Sequence, residues 1–311
     1  MATRLYTHPV FLEHLTPPGH PERPDRLRAV ERVLDDEAFS ALDRVKAPEG
    51  DEATILYAHP EDFVARVRAA IPETGIVSID ADTSASPKSW QAAVTAIGAA
   101  NAAVDDVFEG RAANVFVAAR PPGHHAEKTT AMGFCLFNTA AIAARYAQKQ
   151  HQAERVAIVD WDVHHGNGTQ GIFYARPDVL TVSLHADPVR FYPFFWGYAD
   201  ERGEGAGLGY NLNLPLPRKS GDAAFLEALV TAFRRIRAFA PEALVVALGL
   251  DAFEGDPFGG LSVTTPGFSR IGEAIAGLGL PTVIVQEGGY LCDALSDNLT
   301  AFLTGFGGKQ R

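Results

Sequence analysis

Val156-Ala-Ile-Val159-Asp160-Trp-Asp162-Val-His164-His165-Gly-Asn167-Gly168 begins as a short β-branched run and passes directly into a polar turn. A run without polar alternation fits a strand covered on both faces, the environment of a parallel sheet flanked by helices. Residues 113–119, 179–184, 243–250 and 282–285 read the same way. Residues 89–108, 139–150, 223–238 and 265–277 have helical length and an apolar stripe. Strand alternating with helix predicts an α/β chain of three layers, α/β/α, on a parallel sheet. No repeat, low-complexity tract or linker breaks this order, so residues 1–311 are expected to form one domain.

Composition narrows the function classes. Hydrophobic residues make up 47% of the 311, enough to bury a large core without disulfides. Against 27 basic residues stand 38 acidic ones, a formal charge of −11. A nucleic-acid partner needs a basic face, so none is expected, whereas a cationic substrate is compatible. The longest charge-free apolar run, residues 274–285, contains Pro281 and falls short of the ~20 residues that span a bilayer. The N-terminus has no apolar signal region, and Cys135 and Cys292 lack metal-type spacing. A cytoplasmic protein with reduced thiols and no membrane partner is the expectation.

Polar residues gather where strands end. Residues 113–119 lead to Pro121-Pro-Gly-His124-His125, 243–250 lead to Asp251, and 282–285 lead to Gln286-Glu-Gly-Gly-Tyr290. Ligands of open parallel sheets bind at the carboxyl ends of strands, so four segments deliver side chains to one edge. Asp162 and His164, two apart at a strand end, are expected to point to the same side, and Asp251 adds a second carboxylate. Three oxygen and nitrogen ligands with an open position suit a catalytic zinc; iron(II) is the alternative that such ligands leave open. Capping of the following helices is the bland reading of each residue alone. His124 or His125 can carry a proton from water to a leaving amine, with Asp160 and Asn167 as acceptors that fix the rings. Tyr290 can donate to an oxyanion or serve as a structural tyrosine at a loop end.

Two competing motifs are weak. Gly166-Asn-Gly168-Thr-Gln-Gly171 matches a dinucleotide fingerprint. However, the polar loop before it is too long, and Pro177 leaves too little room for a crossover helix. Cys135 sits among apolar neighbours and reads as a buried, inert thiol rather than a nucleophile.

Together, Arg120-Pro-Pro-Gly-His-His, Gly133-Phe-Cys-Leu-Phe-Asn, Asp160-Trp-Asp-Val-His-His-Gly-Asn-Gly-Thr-Gln, Leu248-Gly-Leu-Asp-Ala-Phe-Glu-Gly-Asp-Pro and Glu287-Gly-Gly-Tyr resemble the histone deacetylase superfamily. The resemblance runs in order from about residue 8 to residue 305 and implies the arginase/deacetylase fold, a single parallel sheet of about eight strands. It implies one zinc on Asp162, His164 and Asp251. His125 then looks like the general base and acid, and His124 like its electrostatic partner oriented by Asp160. Asn167 contacts His125, and Tyr290 polarises the acetyl carbonyl. A structural K⁺ or Na⁺ is implied at Asp160, Asp162, His164, Ser183 and Leu184, mostly through backbone oxygens. The two-manganese arginases need further carboxylates where this chain has Gly166 and Phe253, so one metal is expected.

The run Pro17-Pro-Gly-His-Pro-Glu-Arg-Pro-Asp-Arg looks like class II deacetylases and their bacterial relatives. Residues 183–207 are closer to bacterial acetylpolyamine amidohydrolases. Both groups have an aromatic tunnel, matched here by Phe134 and Tyr192, with Phe194 or Phe195 as alternatives to the latter. Phe258 stands where a polyamine-selective deacetylase carries an acidic gatekeeper. The expectation is therefore a zinc-dependent amidohydrolase acting on an acetylated amine with an alkyl stem, either a small acetylpolyamine or an acetyl-lysine side chain. An idle acetyl-ligand sensor and, further off, a dinucleotide-binding oxidoreductase are the rivals. Homo-oligomerisation is left open.

Overall fold

The computed structural model describes residues 3–34 and 37–308. The strands are β1 (Arg4–Thr7), β2 (Asp43–Lys46), β3 (Val77–Ser78), β4 (Ser84–Ala85), β5 (Asn114–Val117), β6 (Val156–Asp160), β7 (Val179–Ala186), β8 (Asn211–Leu216), β9 (Ala243–Leu248) and β10 (Thr282–Gln286). The helices are α1 (Pro24–Leu34), α2 (Glu61–Ala69), α3 (Ser89–Phe108), α4 (Thr139–Gln150), α5 (Asn167–Phe173), α6 (Asp222–Phe239), α7 (Thr265–Ala276) and α8 (Leu295–Gly308). Eight strands form one parallel sheet in the order β2-β1-β5-β10-β9-β6-β7-β8, and β3 pairs with β4 in a small antiparallel hairpin.

The five strands read from the sequence are the fully buried centre of this sheet. Their Val, Ile and Leu side chains pack against helices on both faces, which is why they show no alternation. α3 and α4 pack together over β5 and β6, while α6 lies on β7 and α7 packs with α8. α3 is apolar nearly all round and correspondingly buried. α4 starts at Asn138, whose side chain accepts from the Ala141 N–H, and α7 starts at Thr264, which accepts from the Gly267 N–H.

Sequence periodicity missed β1, β2 and β8, although the eight-strand expectation holds. β2 reads Asp-Arg-Val-Lys and lies exposed at one edge; charge is normal on an edge strand. β8 contains Pro215 and lies at the other edge, where a missing N–H is tolerated. Register brings the carboxyl ends level: Asp160 sits beside Ser183 and Ala247, and Leu248 beside Gln286. α5 spans only seven residues, Asn167–Phe173, too short for the crossover helix of a dinucleotide fold. No helix among the described residues is long and apolar enough to cross a membrane.

Candidate active site

Asp162 and His164 do not lie on a strand. β6 ends at Asp160, and strand alternation is therefore not what turns the two side chains together. The turn does it: the His164 N–H donates to Asp162 Oδ1 (2.9 Å), and the Gly288 N–H donates to Asp162 Oδ2 (2.8 Å). Asp251 arrives from the end of β9, its Oδ1 accepting from the Val163 N–H (2.9 Å). One ligand atom from each of Asp162, His164 and Asp251 lies within 4.8 Å of the others, and all three residues are buried. His164 Nδ1 stands 2.9 Å from Asp162 Oδ1 and 3.6 Å from Asp251 Oδ2.

This group is short of positive charge. Asp251 Oδ2 is buried and has no hydrogen-bond partner. Burial, reinforced by the charge of Asp162, pushes Asp251 up to about 6. Burial works against charging His164 too, but its bond to Asp162 and the nearby negative charge of Asp251 outweigh that and lift it to about 9. A Cβ on Gly288 would collide with both carboxylates, so only a glycine lets the backbone lie this close to the two oxygens. An orphaned carboxylate oxygen, a second carboxylate and an imidazole nitrogen this close together fit a divalent cation.

Beside this group lies the histidine pair, with ring centroids 3.9 Å apart. His124 Nδ1 meets Asp160 Oδ2 at 2.9 Å. Burial opposes its charging, yet Asp160, Asp162 and Glu287 lift its pKa to about 10. His125 goes the other way: burial, together with the charges of His124 and His164, holds it well below the usual histidine value. His125 Nδ1 meets Asn167 Oδ1 at 2.7 Å. The Asn167 amide cannot be turned around, because its Nδ2 donates to Glu127 Oε1 (3.1 Å). His125 therefore carries its proton on Nδ1 and keeps Nε2 as a free base.

A cavity of about 360 Å³ opens over these groups, and Tyr290 and Phe134 line it. Phe134 has φ +69° and meets the Tyr290 ring edge to face at 6.2 Å. Tyr192 also lines it, edge to face on His125 at 4.9 Å. Of the alternatives to Tyr192, Phe194 joins it in the wall, whereas Phe195 is 82% exposed and stays outside. Ser183 and Leu184 lie on β7 beside Asp160, with Ser183 Oγ bonded to His185 Nδ1 (2.8 Å). Cys135 is buried and free, and burial pushes its thiol well above the usual value, as expected of an inert cysteine.

The pattern of the histone deacetylase domain matches residues 20–306. The chain belongs to the histone deacetylase family. Over 218 residues it is 52% identical to an acetylpolyamine amidohydrolase of Burkholderia pseudomallei, covering 70% of this chain and 63% of that protein. A crystal structure of an acetylpolyamine aminohydrolase from Burkholderia pseudomallei superposes with a TM-score of 0.88 at 37% identity, covering 98% of this chain and 99% of the other. The HD domain of HDA15 superposes with a TM-score of 0.94 at 36% identity, covering 99% and 90%.

Around the family's motifs the structure adds residues that sequence reasoning passed over. Glu287, in the Glu-Gly-Gly-Tyr run, is buried, and its Oε2 accepts from the Gly123 (2.6 Å) and His124 (3.1 Å) N–H groups. Glu22 holds Arg120 in a bidentate pair (2.6 and 2.7 Å), all of it buried. Arg26, also buried, bonds the Glu287 carbonyl and stands over the Tyr290 ring at 5.2 Å. Asp256 accepts from the Tyr290 N–H (3.0 Å), and Phe191 stacks on His164 at 5.0 Å. The signal for Glu22, Arg26, Arg120 and Glu287 was their position inside apolar or motif segments, where an unpaired charge is prohibitive.

Proposed function

We propose that this protein is a metal-dependent amidohydrolase that removes the acetyl group from small N-acetylated amines on an alkyl stem, acetylpolyamines first. One observation carries the reading. The cation-hungry Asp162–His164–Asp251 group, the neutral His125 base and the Tyr290 phenol face one aromatic-walled cavity. The similarity to proteins named acetylpolyamine amidohydrolases supports the polyamine substrate. The proposed resident ion is a single zinc. When bound, it polarises the acyl carbonyl and makes water nucleophilic near neutral pH.

The rest of the chemistry belongs to the chain. His125 Nε2 takes the proton of the attacking water and returns it to the departing amine. His124, charged beside Asp160, keeps His125 neutral before attack. Burial pushes the Tyr290 phenol well above its usual pKa, so it stays protonated and donates to the developing oxyanion. Phe134 and Tyr192 exclude water and flank the methylene stem. A structural K⁺ or Na⁺ is proposed at Asp160, Asp162, His164, Ser183 and Leu184, of which Asp160 and Ser183 also line a small buried void. The free cysteines suit a reducing, cytoplasmic setting. A sensor that only held an acetyl ligand would need neither the His125–Asn167 bond nor a buried phenol.

The test is a side-by-side assay of zinc-loaded protein on N-acetylputrescine, N-acetylspermidine and an acetyl-lysine peptide. Chelator-sensitive turnover favouring the polyamines is expected. Preference for the peptide would overturn the substrate, and no turnover of any would overturn the reaction.

A further inference from the structure

Arg190 lines the active cavity beside Tyr192 and Phe194, and it is the one lysine or arginine among the lining residues. It is exposed at the mouth, and its guanidinium takes no ion pair, hydrogen bond or ring contact among the described residues. Asp82, the acid on the same wall, is turned to other partners: its Oδ1 accepts from the Gly133 N–H (3.1 Å) and the Thr83 hydroxyl (2.8 Å). Arg218 near by is engaged too, lying over the Phe191 ring at 4.8 Å and donating to the Gly259 carbonyl (3.3 Å). Arg190 alone offers a free cation to whatever enters.

The backbone fixes where that cation stands. Pro188 to Phe191 form a four-residue turn, closed by the Phe191 N–H on the Pro188 carbonyl (3.0 Å). The Val189 N–H donates to Asp187 Oδ1 (2.9 Å), and Phe191 stacks flat on His164 at 5.0 Å, so the turn is tied to the site. Arg190 is the third residue of the turn and has φ +59°, the left-handed region that glycine fills most easily at that position. A side chain with a Cβ is costly there, and such exceptions gather at functional sites. Glycine would satisfy the turn and leave the mouth without a cation.

We propose that Arg190 is a specificity-determining residue that binds a carboxylate at the far end of the substrate stem. The substrates it adds are ω-acetamido carboxylates, acetylated amines whose alkyl stem ends in an acid group. With the acetyl end at His125 and Tyr290 and the stem against Phe134 and Tyr192, the carboxylate meets the guanidinium. The planar fork of arginine matches both oxygens of such a group at once. A cationic end gains nothing from Arg190 and is served instead by Asp82, Asp80 and Glu127, whose charges act on the Tyr192 phenol. The inference rests on the deacetylase reading of the cavity and widens its substrates beyond acetylpolyamines.

The test measures kcat/KM of zinc-loaded protein for three acetamides that share a stem of five methylenes. They are anionic 6-acetamidohexanoate, neutral N-hexylacetamide and cationic N-acetylcadaverine. Arg190→Gln is compared with wild type and with Arg218→Gln, which removes the same charge from a residue outside the cavity lining. In Arg190→Gln the acid-to-neutral ratio is expected to fall at least 3-fold, the scale of a lost solvent-exposed ion pair, while the cation-to-neutral ratio does not fall. A smaller fall, or a fall of equal size in Arg218→Gln, overturns the proposal. So does a wild type that hydrolyses N-acetylcadaverine and not the acid. Binding is read separately, by isothermal titration of 6-acetamidohexanoate into the same three proteins. If none of the acetamides is hydrolysed, the deacetylase reading fails and the titration alone decides the Arg190 contact. Binding at least 3-fold weaker in Arg190→Gln than in wild type then supports it, and equal or absent binding overturns it.

Discussion

Removing one oxygen, with Tyr290→Phe, separates catalysis from architecture. The ring is held without it: Phe258 meets it edge to face at 4.6 Å, Arg26 stands over it at 5.2 Å, and Asp256 accepts from its backbone N–H. Phenylalanine keeps those ring contacts, so Tm and KM should change little. The hydroxyl's loss removes one oxyanion donor in a water-poor site, a cost of about 3–4 kcal/mol in the transition state, or 10²–10³ in kcat. Steady-state kinetics on N-acetylputrescine with zinc-loaded protein reads this out, with thermal unfolding as the check on the fold. A kcat within 3-fold of wild type would refute the donor role. So would a loss confined to KM, which would make Tyr290 a binding wall.

Asn167→Ala frees the His125 ring to take the other tautomer and should lower kcat by about 10–100-fold with zinc content unchanged, checked by kinetics alongside metal analysis. Gly288→Ala places a methyl between Asp162 and Asp251 and should abolish zinc retention after dialysis while the protein stays folded by circular dichroism. Glu22→Gln takes the charge from the buried partner of Arg120, and urea unfolding should show a loss of about 3–5 kcal/mol. His59 gives a signed pH effect. Its Nε2 accepts from the Asn138 N–H, and burial pulls its pKa from 6.5 down to about 4. The folded chain therefore binds fewer protons than the unfolded chain in that window. This stabilisation is complete above about pH 6.5 and is lost as pH falls toward 4, an effect on the order of 3 kcal/mol. His59→Gln should flatten the pH dependence of unfolding by that amount between pH 6.5 and 4; an unchanged slope would contradict it.

What could be read in advance follows from where physics leaves a local trace. The central strands announce themselves because burial on both faces demands unbroken apolar runs. β2 and β8 do not, because an edge strand is free to be charged or to hold a proline. Asp162, His164 and Asp251 were legible as strand-end residues, yet the reason first given for their convergence was wrong. The strand stops at Asp160, and backbone N–H groups from His164, Val163 and Gly288 aim the carboxylates. Glu287, Arg26 and Glu22 were in plain view but carry no periodicity or spacing. Their meaning appears only when segments some hundred or more residues apart close into one buried charge network.

The reading stands most exposed to a metal titration. Apoprotein prepared by chelation would be titrated with zinc while N-acetylputrescine deacetylation is followed. Activity rising linearly to a break at one equivalent per chain, absent in Asp251→Asn, is the predicted result. Turnover that survives chelation, or that reaches its plateau only at two equivalents, would contradict it.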